Sequence, residues 1–498
     1  MNDILLGKGD QQVTLLARYG NRHGLVAGAT GTGKTASLMV MAEGFSRLGV
    51  PVFIADVKGD VAGLAVPGAS NDKITDRVAK IGIPGYVHEA NPVIFWDLNG
   101  ALGHPVRTTI SEIGPTLLAR ILELNDTQAG VMEVVFRLAD DEGLLLLDMD
   151  DLRSLLTYVA ENRAAVSGKY GLVASPSLAA IQRSLLRLDR DGGASFFGEP
   201  SLELTDLMRT DLSGRGIISI LAADKLILQP RLYSSFMLWL LSELFEMLPE
   251  VGDLDKPKLV FVFDEAHLLF DDAPPALRQR VEQVVRIIRS KGVGVYFCSQ
   301  FPDDVPNDIL GQLGNRVQHA LRAYTPRDQK AVRTAAETFV ANPKVDVAEV
   351  ISQLRVGEAL VSTLQENGVP MPVERTLISP PRSRMGSVTA EERVTVMSRS
   401  PVGSRYQTAL NRDSAHEMLE RRAAEAAATA PSQSAPAPRG GPATPAPAPA
   451  QQGKLHEWMW GTSRRQGMVE TMAKQTARTV GGQLGRQILR GVLGGIRR

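Results

Sequence analysis

The stretch Gly28-Ala29-Thr30-Gly31-Thr32-Gly33-Lys34-Thr35 meets every fixed position of G-x-x-x-x-G-K-[ST], and it restricts the possible folds more than any other part of the chain. It follows the apolar run Gly24-Leu25-Val26-Ala27 and opens a helical pattern carrying Ser37, Leu38, Val40 and Met41. Strand, loop and helix in that order are the setting in which this string wraps a phosphate. The glycines let the backbone aim consecutive N–H groups at one anion, and the helix adds its positive N-terminal end. Lys34 is expected on the β- and γ-phosphate oxygens, and the Thr35 hydroxyl on Mg²⁺. All eight residues, Gly28 to Thr35, are therefore candidate nucleotide binders.

A second apolar run, Leu259-Val260-Phe261-Val262-Phe263, ends in Asp264-Glu265. Such a strand delivers Asp264 where it can hold Mg²⁺, with Glu265 beside it to orient or deprotonate a water. The two motifs together point to ATP hydrolysis. A third buried strand ends in Cys298-Ser299-Gln300. A polar side chain there reaches a γ-phosphate, which gives Gln300 the role of sensor, while Cys298 reads as a small buried hydrophobe. In the helical stretch 277–291, Val281, Val284, Val285 and Ile288 form a core stripe, and Glu282, Arg286 and Arg289 share a neighbouring face. Arg286 and Arg289 could reach a neighbouring subunit's γ-phosphate; a solvated, ion-paired face fits the same periodicity, and Arg316 is a rival. His267 reads as a structural neighbour of the acidic pair.

Continuously apolar strands separated by helices imply an α/β fold with a parallel sheet covered on both faces. Residues 52–55, 93–96, 215–221, 259–263 and 293–298 are the expected strands, with 1–27 a short lead-in and 316–323 a later strand, followed by a short helix and a strand pair up to about residue 378. Residues 108–192 are helical in pattern, with stripes at Leu117, Leu118, Ile121, Leu122 and Leu124 and at Leu152, Leu155, Leu156 and Val159. The expected organisation is a core half 1–107, a helical insert 108–192, a second core half 193–378 and a polar segment 379–430. Beyond them come a linker 431–453, rich in proline and alanine, and a basic, glycine-loaded amphipathic tail 454–498. One cysteine excludes an intrachain disulfide, no long uncharged apolar run spells a membrane span, and the first residues lack a signal-peptide pattern. A cytoplasmic protein is expected.

The chain resembles the HerA–FtsK superfamily of P-loop motor ATPases, and within it a bacterial helicase HerA-like family. The resemblance rests on RHGLVAGATGTGKT (22–35), ADVKGDVAGL (55–64), FWDLNGALGHPVRTTISEIGP (95–115), LVFVFDEAH (259–267), RIIRSKGVGVYFCSQFPDDVP (286–306) and LGNRVQHALRA (313–323). It implies a RecA-like sheet of the ASCE type, with one strand between the P-loop strand and the strand carrying Asp264. It implies a homo-oligomeric, hexameric ring with ATP at subunit interfaces, Mg²⁺ as cofactor and DNA as the translocated partner. It raises Arg286 and Arg289 above Arg316 as trans arginine fingers, and it puts Asp56 and Lys58 near the site without defining their roles. Relatives carry a β-barrel before the P-loop; only 27 residues precede Gly28 here, so the partnership made through that barrel is not carried over.

Charge pulls the other way. Residues 454–498 carry a formal +7 and residues 1–453 a formal −7. An acidic body offers no broad footprint for nucleic acid, although basic loops in a channel would suffice. The glycines of the tail weaken it as an isolated helix, so it needs a partner surface: its own ring, an anionic membrane or nucleic acid. The insert is a second candidate surface for a protein partner. An ATP-driven switch or scaffold acting on a protein or membrane partner without nucleic acid is the alternative reading.

Overall fold

The structure, a computed structural model, describes residues 3–429 other than 253, 271–274 and 323. The linker 431–453 and the tail 454–498 lie outside the described residues. In chain order the strands are β1 (Asp3–Lys8), β2 (Gln12–Leu16), β3 (Gly24–Ala27), β4 (Val52–Asp56), β5 (Val93–Asp97) and β6 (His104–Pro105). They continue as β7 (Ile218–Ala222), β8 (Leu259–Phe263), β9 (Val293–Ser299), β10 (Asn315–Gln318), β11 (Glu358–Ser362) and β12 (Glu374–Ile378).

All twelve lie in one sheet ordered β2-β1-β12-β11-β10-β3-β9-β8-β4-β7-β5-β6. From β10 to β6 every neighbouring pair is parallel. Every residue of β4, β5, β8 and β9 is buried, as continuously apolar strands covered on both faces require. The strand between β3 and β8 is β9, the one ending in Ser299. This is the RecA-like order expected of the ASCE type.

At the other border the strand pair expected up to about residue 378 is present as β11 and β12, but a further hairpin lies outside it. Residues expected as a lead-in form the antiparallel hairpin β1–β2, and β12 joins it by pairing Gly7 with Ile378 and Lys8 with Leu377. The strand expected at 316–323 is shorter, ending at Gln318, because His319 to Leu321 turn under the phosphate loop.

Helix α1 (Lys34–Arg47) follows the phosphate loop and α2 (Asp72–Ile81) follows β4. Five helices occupy most of 108–192: α3 (Ile110–Ile121), α4 (Asp126–Glu142), α5 (Met149–Glu161), α6 (Arg163–Tyr170) and α7 (Ser175–Arg190). Three of them start at reciprocal caps, Thr109 with Glu112, Asn125 with Gln128 and Asp148 with Asp151, each satisfying N–H groups that a helix start leaves open. Gly114 and Pro115 interrupt α3. The stripe Leu152, Leu155, Leu156 and Val159 is wholly buried. The remaining helices are α8 (Gly193–Phe196), α9 (Pro230–Met247), α10 (His267–Phe270), α11 (Pro275–Ile288), α12 (Asn307–Leu310), α13 (Pro326–Glu337), α14 (Val347–Gln353), α15 (Ala390–Ser398) and α16 (Ala415–Thr429). Among the described residues no helix is long and apolar enough to cross a membrane.

After β12 the chain straps back over the parallel half. Glu43 of α1, 3% exposed, accepts from the backbone N–H of Arg382 at 2.9 Å and of Ser383 at 2.8 Å, and from the Ser383 hydroxyl. Arg384 N–H donates to Val66 O at 3.1 Å, Gly63 N–H to Gly386 O at 2.9 Å and Gly386 N–H to Asp60 O at 3.1 Å. Farther on, Arg393 lies over the Phe95 ring, and the Tyr406 hydroxyl donates to Asp206 at 2.6 Å. The chain divides into a unit reaching His416 and a second beginning at Glu417. Of the second, 417–429 are described and are the helical remainder of α16.

Candidate nucleotide and metal site

Parallel strands put their C-terminal ends along one rim of the sheet, where ligands of such folds sit. The rim here collects the loops after β3, β4, β8 and β9, and with them both sequence motifs. Gly28 N–H donates to Ser299 O at 3.2 Å and Ala29 N–H to Ala320 O at 2.8 Å, fixing the loop to β9 and to the turn after β10. Gly33, with φ 117°, caps α1 in a conformation that a side chain would strain, and Gly31 has φ 78°. Lys34, 7% exposed, donates to Gly28 O at 2.7 Å and Ala29 O at 3.3 Å, so its ammonium lies in the hollow of the loop. Beneath the loop His319 accepts from or donates to Ser37 Oγ at 2.8 Å and meets Glu358 O at 3.1 Å.

The Thr35 hydroxyl donates to Asp60 Oδ2 at 3.0 Å. Carboxylate oxygens of Asp60, Asp56 and Asp264 all lie within 4.8 Å of one another. Asp56 accepts from Gly59 N–H at 2.8 Å and Val61 N–H at 3.3 Å, whereas Asp60 Oδ1 is buried without a hydrogen-bond partner. Burial and the charges of Asp60 and Asp264 push Asp56 up to about 7. Burial and Glu265 push Asp264 up to about 6. The thiol of Cys298, buried as expected, is held well above its ordinary range by burial and by Asp264, and is drawn down by Lys34. The Thr35–Asp60 hydrogen bond and the carboxylate group that Asp60 forms with Asp264 bring both motifs to one site.

Glu265, 2% exposed, has φ 50°, a left-handed conformation uncommon for a residue with a side chain. Its Oε1 is ion-paired with Lys58, and its Oε2 lies 3.4 Å from Gln300 Nε2 and 3.3 Å from His267 Nδ1. Burial alone would raise its pKa, but hydrogen bonds from His267 and Lys58 and the Lys58 charge outweigh it and draw Glu265 down to about 2.

The arginines fall elsewhere. Arg286, near the end of α11, is exposed, and Arg289 lies in the turn before β9, at the end of that strand away from Ser299. The Arg289 carbonyl lies 3.5 Å from Asn21 Nδ2. Neither arginine joins the cavity of its own chain. Arg316 is committed locally, donating to Leu313 O at 3.1 Å and Leu310 O at 3.0 Å. Sequence reasoning missed Asp60; the second acid of Asp56-Val57-Lys58-Gly59-Asp60 was its only signal.

The strand order and the loop–strand pair that shares this rim define a RecA-like P-loop ATPase fold. The chain belongs to the helicase HerA-like C-terminal family, whose model matches residues 2–498. It is 30% identical over 104 residues to a DNA double-strand break repair helicase HerA of Saccharolobus solfataricus, covering 21% of this chain and 20% of that protein. The counterpart of Sulfurisphaera tokodaii is 32% identical over 106 residues, 21% of this chain and 20% of its own. The matched stretch thus spans about a fifth of these relatives. In fold, the chain is similar to the plasmid coupling protein TrwB solved with a non-hydrolysable GTP analogue, with TM-score 0.50, 16% identity, and coverage of 75% of this chain and 89% of that one.

Proposed function

We propose that the chain hydrolyses ATP with Mg²⁺ and is the motor core of a ring that moves DNA. The observation that carries the reading is the meeting of the P-loop hydroxyl, through Asp60, with the carboxylates ending β4 and β8, and Glu265 beside them. The donor set fits a hard divalent cation: all-oxygen, with Asp60 Oδ1 buried and unpartnered. Thr35, Asp60, Asp264 and Asp56 would hold Mg²⁺, which when bound neutralises charge on the phosphate oxygens. The loop N–H groups and Lys34 hold the β- and γ-phosphates. Glu265 orients a water and takes its proton as the new oxygen–phosphorus bond forms and the β–γ bridge breaks, releasing ADP and phosphate. Gln300, close to Glu265, reports the γ-phosphate. Arg286 or Arg289, away from the site of their own chain, complete a neighbour's site, which calls for a ring, hexameric as the family resemblance implies. A motor that draws on ATP and moves DNA is expected in the cytoplasm, where both are at hand.

Glu265→Gln is expected to bind ATP with little change and to lose turnover by about 10²- to 10⁴-fold; retained turnover would remove the base. The DNA role is tested by ATP turnover with and without single- and double-stranded DNA across a salt series. Stimulation that weakens with salt supports the motor. Indifference to DNA at low salt supports the second reading, a switch acting on a protein or membrane partner, which the formal −7 of residues 1–453 favours. Mixing Arg289→Ala with Lys34→Ala subunits restores activity if the arginine acts in trans.

A further inference from the structure

A triphosphate in the loop turns its reacting end toward Glu265 and Gln300, so its nucleoside has to leave elsewhere. The helix start takes the phosphate nearest the sugar, and the nucleoside then follows the first turn of α1, where Ala36 is small and half-buried. Two segments reach that turn, and each is hydrogen-bonded to the loop or to its direct partner. In the first, Gly357 N–H donates to Thr32 O at 2.9 Å, while Arg77 donates to Gly357 O at 2.8 Å and Ile378 O at 3.0 Å. In the second, Gly386 N–H donates at 3.1 Å to the carbonyl of Asp60, whose carboxylate takes the Thr35 hydroxyl. Gly386 O accepts from Gly63 N–H at 2.9 Å, and Arg384 N–H is tied to Val66 O. The first segment leads into β11 and the second is bonded to the turn after β4, and these strands lie on opposite sides of β3. Each tether carries a large apolar side chain beside its glycine: Val356, 68% exposed, and Met385, 58% exposed. Lone apolar side chains are ordinary on a surface. These two differ in standing on backbone fixed to the phosphate loop, so they are held in place while most of their surface stays in water. An aromatic base gains by covering its faces with apolar groups that need no ordering, and the thioether of Met385 is favourable against a ring.

We propose that Val356 and Met385 are the apolar walls of a nucleoside subsite flanking the first turn of α1, against which the base of ATP rests. The proposal rests on a triphosphate occupying the loop, as in the function proposed above. Every tether of these two residues runs through backbone groups or through Arg77, so replacing either side chain leaves the loop braced.

The test is equilibrium binding to the full chain, by isothermal titration calorimetry, of ATP and of inorganic tripolyphosphate, which has the phosphates without the nucleoside. Val356→Ser and Met385→Ser are each expected to raise the Kd for ATP roughly three- to tenfold, and the double variant roughly ten- to hundredfold. Serine adds no charge, so the Kd for tripolyphosphate is expected to stay within roughly twofold in all three variants. An unchanged ATP affinity in the double variant would overturn the subsite. Equal weakening of both ligands would overturn it too, and would make the two side chains braces of the loop. The same titrations separate this proposal from the one beneath it. A wild type that binds neither ligand refutes the phosphate site and the subsite with it. ATP bound alike by wild type and double variant leaves the phosphate site standing and removes the subsite alone.

Discussion

Glu43 ties the strap after β12 to the phosphate-loop helix, and its removal has a calculable cost. Glu43→Ala deletes an acceptor, buried to 3% exposure, that serves two backbone N–H groups and one hydroxyl. Hydrogen bonds to a charged group contribute about 1.5–3 kcal/mol each, and a buried donor left unpaired costs about 1–3 kcal/mol. Releasing a buried carboxylate returns part of this, so a net loss of about 2–5 kcal/mol is expected. With an unfolding entropy of about 2.1 cal/mol/K per residue, a unit the size of Met1–His416 that unfolds cooperatively loses about 2–6 °C of Tm. The strap should also loosen locally, and tryptic cleavage after Arg384, Arg393 and Arg399 should accelerate before global unfolding. Since Gly386 N–H holds the Asp60 carbonyl, the concentration of Mg²⁺ giving half-maximal turnover should rise as well. Differential scanning calorimetry and timed proteolysis are the assays. A variant within about 0.5 kcal/mol of the wild type, cleaved at the same rate, would refute the claim that this carboxylate anchors the strap.

Asp60→Asn can keep an oxygen for the Thr35 hydrogen bond but removes the side chain's negative charge and one of its two oxygens; it should raise the Mg²⁺ requirement of turnover about tenfold while leaving metal-free nucleotide binding nearly unchanged, as equilibrium titrations would show. Acid should destabilise the fold through His23, which burial, then the Arg289 and Arg22 charges, lower to about 4 despite its bond to Val285 O. Val295 N–H donates to Nδ1 at 3.0 Å, so the ring proton sits on Nε2 and donates to Val285 O at 3.0 Å, and no site is left for a second proton. Between about pH 6.5 and 4 the unfolded chain binds a proton that the folded one does not, so stability is full above 6.5 and falls with pH, by on the order of 2 kcal/mol at pH 5. Raised Asp56 and Asp264 push the other way, so the readout is the difference in urea-midpoint slope between the wild type and His23→Asn; identical slopes would exclude the histidine.

The features legible in the sequence were those whose chemistry is written in consecutive residues. Gly28 to Thr35 and the run ending in Asp264-Glu265 each need a fixed local shape, so spacing alone implied a shared rim. The β1–β2 hairpin was hidden because its partner β12 lies more than 360 residues away and its strands interleave buried and exposed residues, unlike the continuously buried strands of the parallel half. The strap was read only as a polar segment, since its hold comes from backbone hydrogen bonds and one carboxylate on another helix, with no apolar period to betray it. Asp60 was missed for a related reason: its position against Thr35 comes from the turn around Gly59, which residue identity does not specify. The face shared by Arg286 and Arg289 was visible, but their distance from the cavity of their own chain depends on which way α11 runs along β9.

The strand that feeds the phosphate loop is flanked by β9 and β10, so its neighbours are encoded roughly 270 and 290 residues downstream. On a ribosome the loop emerges early and waits. Until residue 320 has left the exit tunnel the glycine-rich turn lacks at least one of the two carbonyls, of Ser299 and Ala320, that fix it, and nucleotide can be gripped firmly only after that. A stalled-chain binding series should therefore show an abrupt gain of affinity near that length.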